Sequence, residues 1–372
     1  MKLKYLPGLN SLRFFAAFFV VISHGNISLD KLGIHPASNL ALLNRGGDAV
    51  DFFFTLSGFL ITYLLINEID KTSTVSIRQF YLRRVYRIWP LYFLIVAIGF
   101  FLLGYVYPKI YHHAFFNFSI PEGLLMFIFF VPNYAAKNYF TGLLNPLWSI
   151  GVEEQFYLFW APLVKYCRGY LQLMIGIFVI ISLLFYTAVY YHLFNIPANW
   201  EMFLLTQKFY AMAIGSAFGY LLFYKYDWFN KSIFASRQMQ LLVLLVISWH
   251  YLVGSFISDL LIFKILLAFL YGLLMINISA ASKKLIKLEM PFLSYLGVIS
   301  FGIYMYHMPV DYLLRTLVPR LHNIQLPVSV TMVMYYVLLL SGTIIVAAFS
   351  HRYFESYFLK LKDRLHPQRK PA

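Results

Sequence analysis

Residues 11–27 read SLRFFAAFFVVISHGNI, an apolar run with only two ionisable side chains, Arg13 and His24. A helix that crosses a bilayer needs about 20 mostly apolar residues, and this run comes close to that length. Lys2 and Lys4 precede it as they would in a signal peptide, but no A-x-A-like cleavage site follows. We therefore predict a retained first membrane helix rather than a cleaved leader.

The composition of the whole chain extends this prediction to a protein that lies mostly in the membrane. Of its 372 residues, 61% are hydrophobic and 12% are charged, whereas soluble domains have roughly half and a quarter. A single cysteine excludes an intramolecular disulfide and a cysteine-based metal cluster, and we expect no metal. The net charge of +15 is spread over short breaks between apolar runs, which is typical of membrane proteins and does not indicate nucleic-acid binding.

The apolar runs predict an all-α integral membrane protein with ten transmembrane helices in one domain, residues 1–372. The predicted spans are 11–27, 48–67, 88–107, 146–165, 170–192, 203–224, 239–256, 260–280, 293–316 and 328–350. The segment 120–132 is short and holds two prolines and a glutamate, so we predict that it is re-entrant or interfacial.

The distribution of basic residues predicts the orientation of the chain. With the N-terminus in the cytoplasm, twenty-one Lys and Arg residues outside the spans lie on the cytoplasmic side and six on the outer side. Lys and Arg are enriched in the cytoplasmic loops of membrane proteins. We therefore predict that the N-terminus and the C-terminus are both cytoplasmic.

Four predicted helices carry polar faces. Arg13 and His24 are eleven residues apart, so His24 returns to within about 20° of Arg13 and lies about 16 Å farther along the axis. Three later helices carry comparable faces: Asp51, Thr55, Gly58 and Thr62; Ser149, Glu153 and Tyr157; and Ser300, Tyr304, His307 and Asp311. Ionisable groups inside a bilayer are costly and normally face a protein interior. The four faces are thus predicted to line a shared interior.

Depth along the helices divides the ionisable residues into two groups. The group near the predicted inner surface is basic: Arg13, Arg83, Arg84 and Arg87. The group toward the predicted outer surface holds a histidine and two carboxylates: His24, Asp51 and Glu153. We predict an interior with a basic cytoplasmic mouth and a histidine near its far end.

Each of these residues also has a purely structural interpretation. A lone intramembrane histidine such as His307 is often a packing residue, the inner arginines also suit topology anchors, and the carboxylates also suit ties between helices. Glu154 lies on another side of its helix and is not expected to share the site. No Walker lysine loop, dinucleotide-binding glycine pattern or G-x-S-x-G elbow occurs. A polar interior suits an enzyme, and it equally suits a transporter or flippase for a lipid-linked sugar or small solute.

Five polar motifs follow one another along the chain. The first is Arg13, a gap of ten residues and His24. The others are GDAVDFFF with LSGFLI (47–54 and 56–61), FYLRRVYRIWP (80–90), WSIGVEEQFY (148–157) and SFGIYMYH (300–307). Together they resemble the acyltransferase 3 family, the membrane acyltransferases that include bacterial O-antigen acetylases. The resemblance implies a multi-pass protein of the cytoplasmic (inner) membrane.

The resemblance also implies an activity of the cell envelope. It implies an acyl-CoA donor, usually acetyl-CoA, and transfer of the acyl group to a hydroxyl of a polysaccharide or lipid-linked sugar. It assigns His24 as the catalytic base and Arg13 as its partner.

The residues themselves suggest further roles within that activity. Arginine's planar guanidinium suits phosphate oxygens, so we expect the phosphates of acyl-CoA to bind Arg13, Arg83, Arg84 and Arg87. Asp51 or Glu153 is expected to orient the His24 ring, as a carboxylate does in hydrolase triads. The residues expected to line the substrate path are Ser149, Tyr157, Tyr304 and His307.

Overall fold

The regular elements of the computed structural model are all helices over the residues that it describes. Those residues are 6–34, 41–112, 114–139, 141–254, 260–322 and 327–365. The α-helices are α1 (Leu9–Lys31), α2 (Gly46–Thr72), α3 (Ile77–Phe101), α4 (Tyr107–Tyr111), α5 (Ile120–Ile128), α6 (Pro132–Asn138), α7 (Leu147–Tyr166), α8 (Leu171–Tyr190), α9 (Ala198–Thr206), α10 (Phe209–Tyr224), α11 (Tyr226–Lys231), α12 (Arg237–Leu252), α13 (Leu261–Ala280), α14 (Pro291–Val298), α15 (Ser300–His322), α16 (Val328–Ser350) and α17 (Ser356–Leu365). The predicted all-α class is confirmed for this part of the chain.

Two π-helical stretches join some of these helices into longer rods. Leu102–Val106 connects α3 to α4, and His351–Glu355 connects α16 to α17. Six stretches are long and apolar enough to cross a membrane by length and composition: Leu9–Lys31, Gly46–Thr72, Ile77–Ile110, Arg168–Tyr190, Leu261–Ala280 and Val328–Leu361. Each of them overlaps one predicted span, so six of the ten predicted spans have such a counterpart, and the predicted number of ten is not confirmed.

The other four predicted spans differ from the expectation for identifiable reasons. Span 203–224 is divided between α9 and α10, because Gln207 and Lys208 leave the helix to bond with Gln155 and Asp51. Span 293–316 is divided between α14 and α15. Span 239–256 corresponds to α12, which has only 16 residues. Span 146–165 corresponds to the 20-residue α7, in which consecutive glutamates and a glutamine lower the hydropathy.

The segment 120–132 contains a helix that is too short to cross a bilayer. Helix α5 has nine residues, which is about 13.5 Å of helix against a hydrocarbon core of about 30 Å. Its predicted re-entrant or interfacial position stays a prediction, as does the cytoplasmic location of the two termini. Four of the basic residues counted for that orientation lie outside the described residues: Lys2, Lys4, Arg369 and Lys370.

Helix α1 is central to the bundle and carries the first motif into its interior. It packs against α2, α14, α15 and α16. Helix α2 in turn packs closely against α10, and a Cβ added at Gly58 would lie 1.9 Å from the carbonyl oxygen of Met212. Small residues of this kind let membrane helices approach closely. The close approach of α2 and α10 fixes one wall of the site.

Candidate active site between two cavities

One cavity of the described structure is lined by arginines. We call it the arginine cavity; it has a volume of about 100 Å³ and lies between α1, α2, α3, α7 and α15. Its charged lining residues are Arg13, Arg84, Arg87 and Glu153. Three guanidinium groups therefore face a single carboxylate, and the cavity is suited to an anionic ligand.

The two arginines of α3 differ from their neighbour Arg83. Arg84 and Arg87 line the arginine cavity, and the guanidinium of Arg84 lies 5.7 Å from the ring centroids of Phe80 and Tyr157. The Nε of Arg84 is buried and has no hydrogen-bond partner in the structure. Arg83 lies about 100° around the helix from Arg84. Its Nη2 is 2.8 Å from Glu68 Oε2, so its expected role in phosphate binding is not supported by its position.

Glu153 is held in the arginine cavity by two hydroxyl groups. Ser57 donates to its Oε1 at 2.7 Å, and Tyr157 donates to its Oε2 at 3.2 Å. Tyr157 lies one helical turn after Glu153, which places both side chains on the face that the sequence predicted. Glu154 points elsewhere and accepts a hydrogen bond from Trp89 Nε1 at 3.2 Å. As expected from the sequence, Glu154 is not among the residues that line the arginine cavity.

A second cavity is lined by the other motif residue of α1. We call it the histidine cavity; it has a volume of about 240 Å³. Its polar and charged lining residues include His24, Lys31, Asn145, Tyr312 and Arg315. Arg13 and His24 lie on one face of α1 as predicted, but Arg13 lines the arginine cavity and His24 lines the histidine cavity. The sequence had predicted one shared interior, and the structure divides it in two.

The His24 ring lies next to the buried His307 ring, with centroids 4.9 Å apart. The Nδ1 of His24 is 3.0 Å from the carbonyl oxygen of Val20, and the Nδ1 of His307 is 2.5 Å from that of Tyr304. A carbonyl oxygen only accepts, so each Nδ1 carries the hydrogen. In the neutral rings each Nε2 then has its lone pair free. The Nε2 of the fully buried His307 has no partner in the structure.

Tyr304 lies beside the His307 ring, with ring centroids 5.7 Å apart. Its hydroxyl donates to the Pro146 carbonyl at 2.9 Å and lies 2.7 Å from Ser149 Oγ. Tyr304 and Ser149 both line the arginine cavity, whereas Met308, the residue after His307, lines the histidine cavity. The Tyr304 contacts tie α15 to the start of α7.

The carboxylates expected to orient His24 have other partners. Asp51 is buried, and its Oδ1 is 2.6 Å from Lys208 Nζ. Glu153 binds Ser57 and Tyr157 in the arginine cavity. Within the described residues, neither carboxylate is hydrogen-bonded to His24, and that expectation is not met. The physical reason is that the Val20 carbonyl already fixes the tautomer of the ring, which is the task proposed for a carboxylate.

A buried carboxylate near His24 was not among the predicted site residues. Asp311 is fully buried and accepts hydrogen bonds from Ser28 Oγ at 2.8 Å, from Arg315 Nη2 at 2.5 Å and from Tyr335. Ser28 also donates to the His24 carbonyl oxygen at 2.9 Å. Asp311 therefore joins α1, α15 and α16 next to the histidine pair. Its place on the His307 face was the sequence signal that pointed to it.

The five motifs thus meet at one place, and the comparison with known proteins agrees with them. The sequence profile of the acyltransferase domain called acyltransferase 3 matches residues 6–352, which include all five motifs. The chain belongs to the acyltransferase 3 family. The resemblance stated from the motifs is confirmed. In this acyltransferase 3 domain each motif supplies a residue to the arginine cavity: Arg13, Ser57, Arg87, Glu153 and Tyr304.

Two relatives of this acyltransferase 3 domain show how much of the chain is shared. The peptidoglycan O-acetyltransferase OatA of Listeria monocytogenes is 28% identical over 206 residues, which are 53% of this chain and 30% of that protein. The O-acetyltransferase OatA of Staphylococcus aureus is 35% identical over 170 residues, which are 43% of this chain and 25% of that protein. The matches therefore span less than a third of the length of either relative. No solved structure matches the chain.

Proposed function

We propose that this chain is an O-acyltransferase that moves an acyl group, most simply acetyl, from acyl-CoA to a hydroxyl of a cell-envelope glycan. The family membership and the two O-acetyltransferase relatives support acyl transfer. The peptidoglycan named for the Listeria relative supports a glycan acceptor. The pair of separate cavities supports two substrates that enter from different sides.

The arginine cavity is the proposed donor site. Arg13, Arg84 and Arg87 bring three guanidinium groups to one cavity, and the unpartnered Nε of Arg84 leaves a buried donor for an anionic ligand. Guanidinium groups bind phosphate through charge-assisted, often bidentate hydrogen bonds. The phosphates of acyl-CoA suit this donor set, and the thioester would then extend toward the histidine pair. With the predicted orientation, this cavity faces the cytoplasm, where acyl-CoA is found.

His24 is the proposed general base. Its Nδ1 hydrogen is committed to the Val20 carbonyl, so the free Nε2 lone pair is available to an acceptor in the histidine cavity. As the acceptor oxygen attacks the thioester carbonyl carbon, its proton passes to Nε2. The carbon–sulfur bond then breaks, and the CoA thiolate takes up the proton held by His24, directly or through water, so that CoA leaves as the thiol and the neutral imidazole is restored. A histidine suits this role because its ordinary pKa lies near neutral pH.

The histidine cavity is the proposed acceptor site. The polar side chains that line it offer hydrogen-bond partners to a sugar, and they include Asn145, Tyr312 and Arg315. The placement of Arg13 and His24 carries the proposal: one helix brings an arginine to the proposed donor cavity and a histidine to the proposed acceptor cavity. The acyltransferase family and the two O-acetyltransferase relatives favour this function over the transporter alternative.

The proposal is tested by the acetate content of the cell envelope. Cells lacking the gene receive either the wild-type chain or His24→Ala, and acetate is released from their purified envelope glycans with mild alkali. We expect the wild-type chain to restore ester-linked acetate and His24→Ala to leave it at the level of the deletion, with equal amounts of both proteins in the membrane. Equal acetate release from the two strains would refute the role of His24.

A further inference from the structure

A third cavity lies away from the site, on the outside of the helix bundle. It runs between α8 and α10 and has a volume of about 670 Å³; we call it the α8–α10 groove. Arg168, Gln172, Tyr220 and Tyr224 line one end, and Gly176 and Ile180 lie farther along α8. Helix α8 belongs to a candidate membrane span. The groove is therefore polar and charged at the end where that span begins and apolar along the span itself.

The floor of the groove is open because it lacks side chains. Gly169, in the short turn before α8, and Gly176, in α8, both line the groove. A Cβ added at either glycine would meet no atom within 4 Å. The glycine of α2 behaves differently, because a Cβ at Gly58 would collide with the backbone of α10. Gly169 and Gly176 therefore do not serve packing within this chain, and they leave space for something outside it.

The charged end of the groove is formed by Arg168, which makes no ion pair with any other residue that the structure describes. Arg168 donates through Nη1 to the backbone carbonyl of Ser73, which is a neutral acceptor. Its guanidinium retains further donors on the groove side, since the group carries five N–H bonds in all. The hydroxyl of Tyr220 lies 3.5 Å from Gln172 Oε1. A cation beside tyrosines and an amide is the kind of group that meets a phosphate headgroup at the boundary of a bilayer.

We propose that the α8–α10 groove binds one anionic phospholipid. The headgroup phosphate binds Arg168, with hydrogen bonds from the neighbouring tyrosines, and one acyl chain lies over Gly176 along α8. The charge of Arg168 and the change from polar to apolar lining match a phospholipid. A second copy of this chain, which would also fill a groove beside glycines, offers no such reason for a cation at one end. The site is separate from both cavities of the proposed acyl transfer.

The test is native mass spectrometry of the full chain, purified in detergent and incubated with phosphatidylglycerol or phosphatidylcholine. Gly176→Leu places a side chain in the groove at a position where a Cβ meets no atom within 4 Å, and Arg168→Gln removes the charge but leaves the groove open. Leu184→Phe is the control, because Leu184 is exposed on the same helix but does not line the groove.

We expect the wild-type chain and Leu184→Phe to retain one phosphatidylglycerol in preference to phosphatidylcholine. Gly176→Leu is expected to lose at least about tenfold in occupancy for both lipids, which corresponds to about 1.4 kcal/mol. Arg168→Gln is expected to bind both lipids equally. Undiminished phosphatidylglycerol binding by both variants would overturn the proposal. So would a wild-type dimer without bound lipid that Gly176→Leu converts to monomer, because the groove would then be an interface between copies.

Discussion

The rings of His24 and His307 face each other with centroids 4.9 Å apart, and each ring donates its Nδ1 hydrogen to a carbonyl of its own helix. Two helices that are far apart in sequence thus present a free Nε2 lone pair at the same point. His24 lines the cavity with polar side chains suited to a sugar, and Arg13 of the same helix lines the cavity with three arginines. The hydrogen bonds to the backbone carbonyls define the tautomer of each histidine without a carboxylate partner.

The hydroxyl of Tyr304 is predicted to keep water from the thioester. Tyr304→Phe removes its bonds to Pro146 and Ser149, and a lost hydrogen bond of about 1 kcal/mol raises the population of an open passage about fivefold. Acetyl-CoA hydrolysis without an acceptor should rise severalfold, measured as free thiol released by the purified chain. Tyr306→Phe is the matched control, since Tyr306 bonds to Ser350. An unchanged hydrolysis rate in Tyr304→Phe would contradict the barrier.

The pair of Asp51 and Lys208 is predicted to be structural. Asp51→Asn leaves the Lys208 ammonium without its partner, and breaking a buried ion pair in this way costs about 3–5 kcal/mol. We expect a lower thermal unfolding midpoint in detergent. The double variant with Lys208→Met should recover most of the stability and transfer acetyl groups. A double variant that is stable and inactive would show instead that Asp51 takes part in catalysis.

Asp311 is predicted to position His24 through Ser28. Asp311→Asn replaces one acceptor oxygen with a donor, so one of its three hydrogen bonds is lost. A hydrogen bond to a charged group is worth about 1.5–3 kcal/mol, and we expect kcat to fall about tenfold or more. The KM for acetyl-CoA should stay unchanged, because the arginine cavity is not touched. Tyr335→Phe, which removes a single donor, should show a smaller loss of kcat. A rise in the acetyl-CoA KM with constant kcat would rule out this positioning role.

Glu153 is predicted to weaken donor binding by partly neutralising the three arginines. Glu153→Gln keeps the shape and one acceptor oxygen but removes the only carboxylate of the arginine cavity. The affinity for acetyl-CoA should rise severalfold in a titration of the purified chain. Ser57→Ala serves as the control, because it removes a hydrogen bond and leaves the charge. A loss of acetyl transfer at constant donor affinity would mean that Glu153 acts in the chemical step.

The sequence predicted features that repeat along one helix. The phase of Arg13 with His24 and of Glu153 with Tyr157 follows from 3.6 residues per turn, and the structure keeps both pairs on one face. The helical class also followed from composition. Six of the predicted spans have counterparts of sufficient length and hydropathy.

Contacts between helices were not predictable in the same way. Lys208 lies 157 residues from Asp51 in sequence, and nothing in the local pattern indicates that they pair. The hydrogen bond from His24 to the Val20 carbonyl was also not predictable, because every residue has a carbonyl group and the sequence does not single one out. The contact between Tyr304 and Ser149 was not predictable either, because it depends on the relative depth of two helices, which the sequence defines only roughly.

The central claim is that acyl-CoA binds in the arginine cavity and reacts at His24. Calorimetric titration of acetyl-CoA into the detergent-purified chain tests it, with Arg87→Gln, Arg83→Gln and His24→Ala in parallel. We predict saturable binding that Arg87→Gln weakens about ten- to a hundredfold, since hydrogen bonds to charged groups contribute about 1.5–3 kcal/mol. Arg83→Gln, with its guanidinium at Glu68, and His24→Ala should bind like the wild-type chain. A folded wild-type chain that binds no acetyl-CoA, or binding that Arg87→Gln leaves unchanged, would contradict the account.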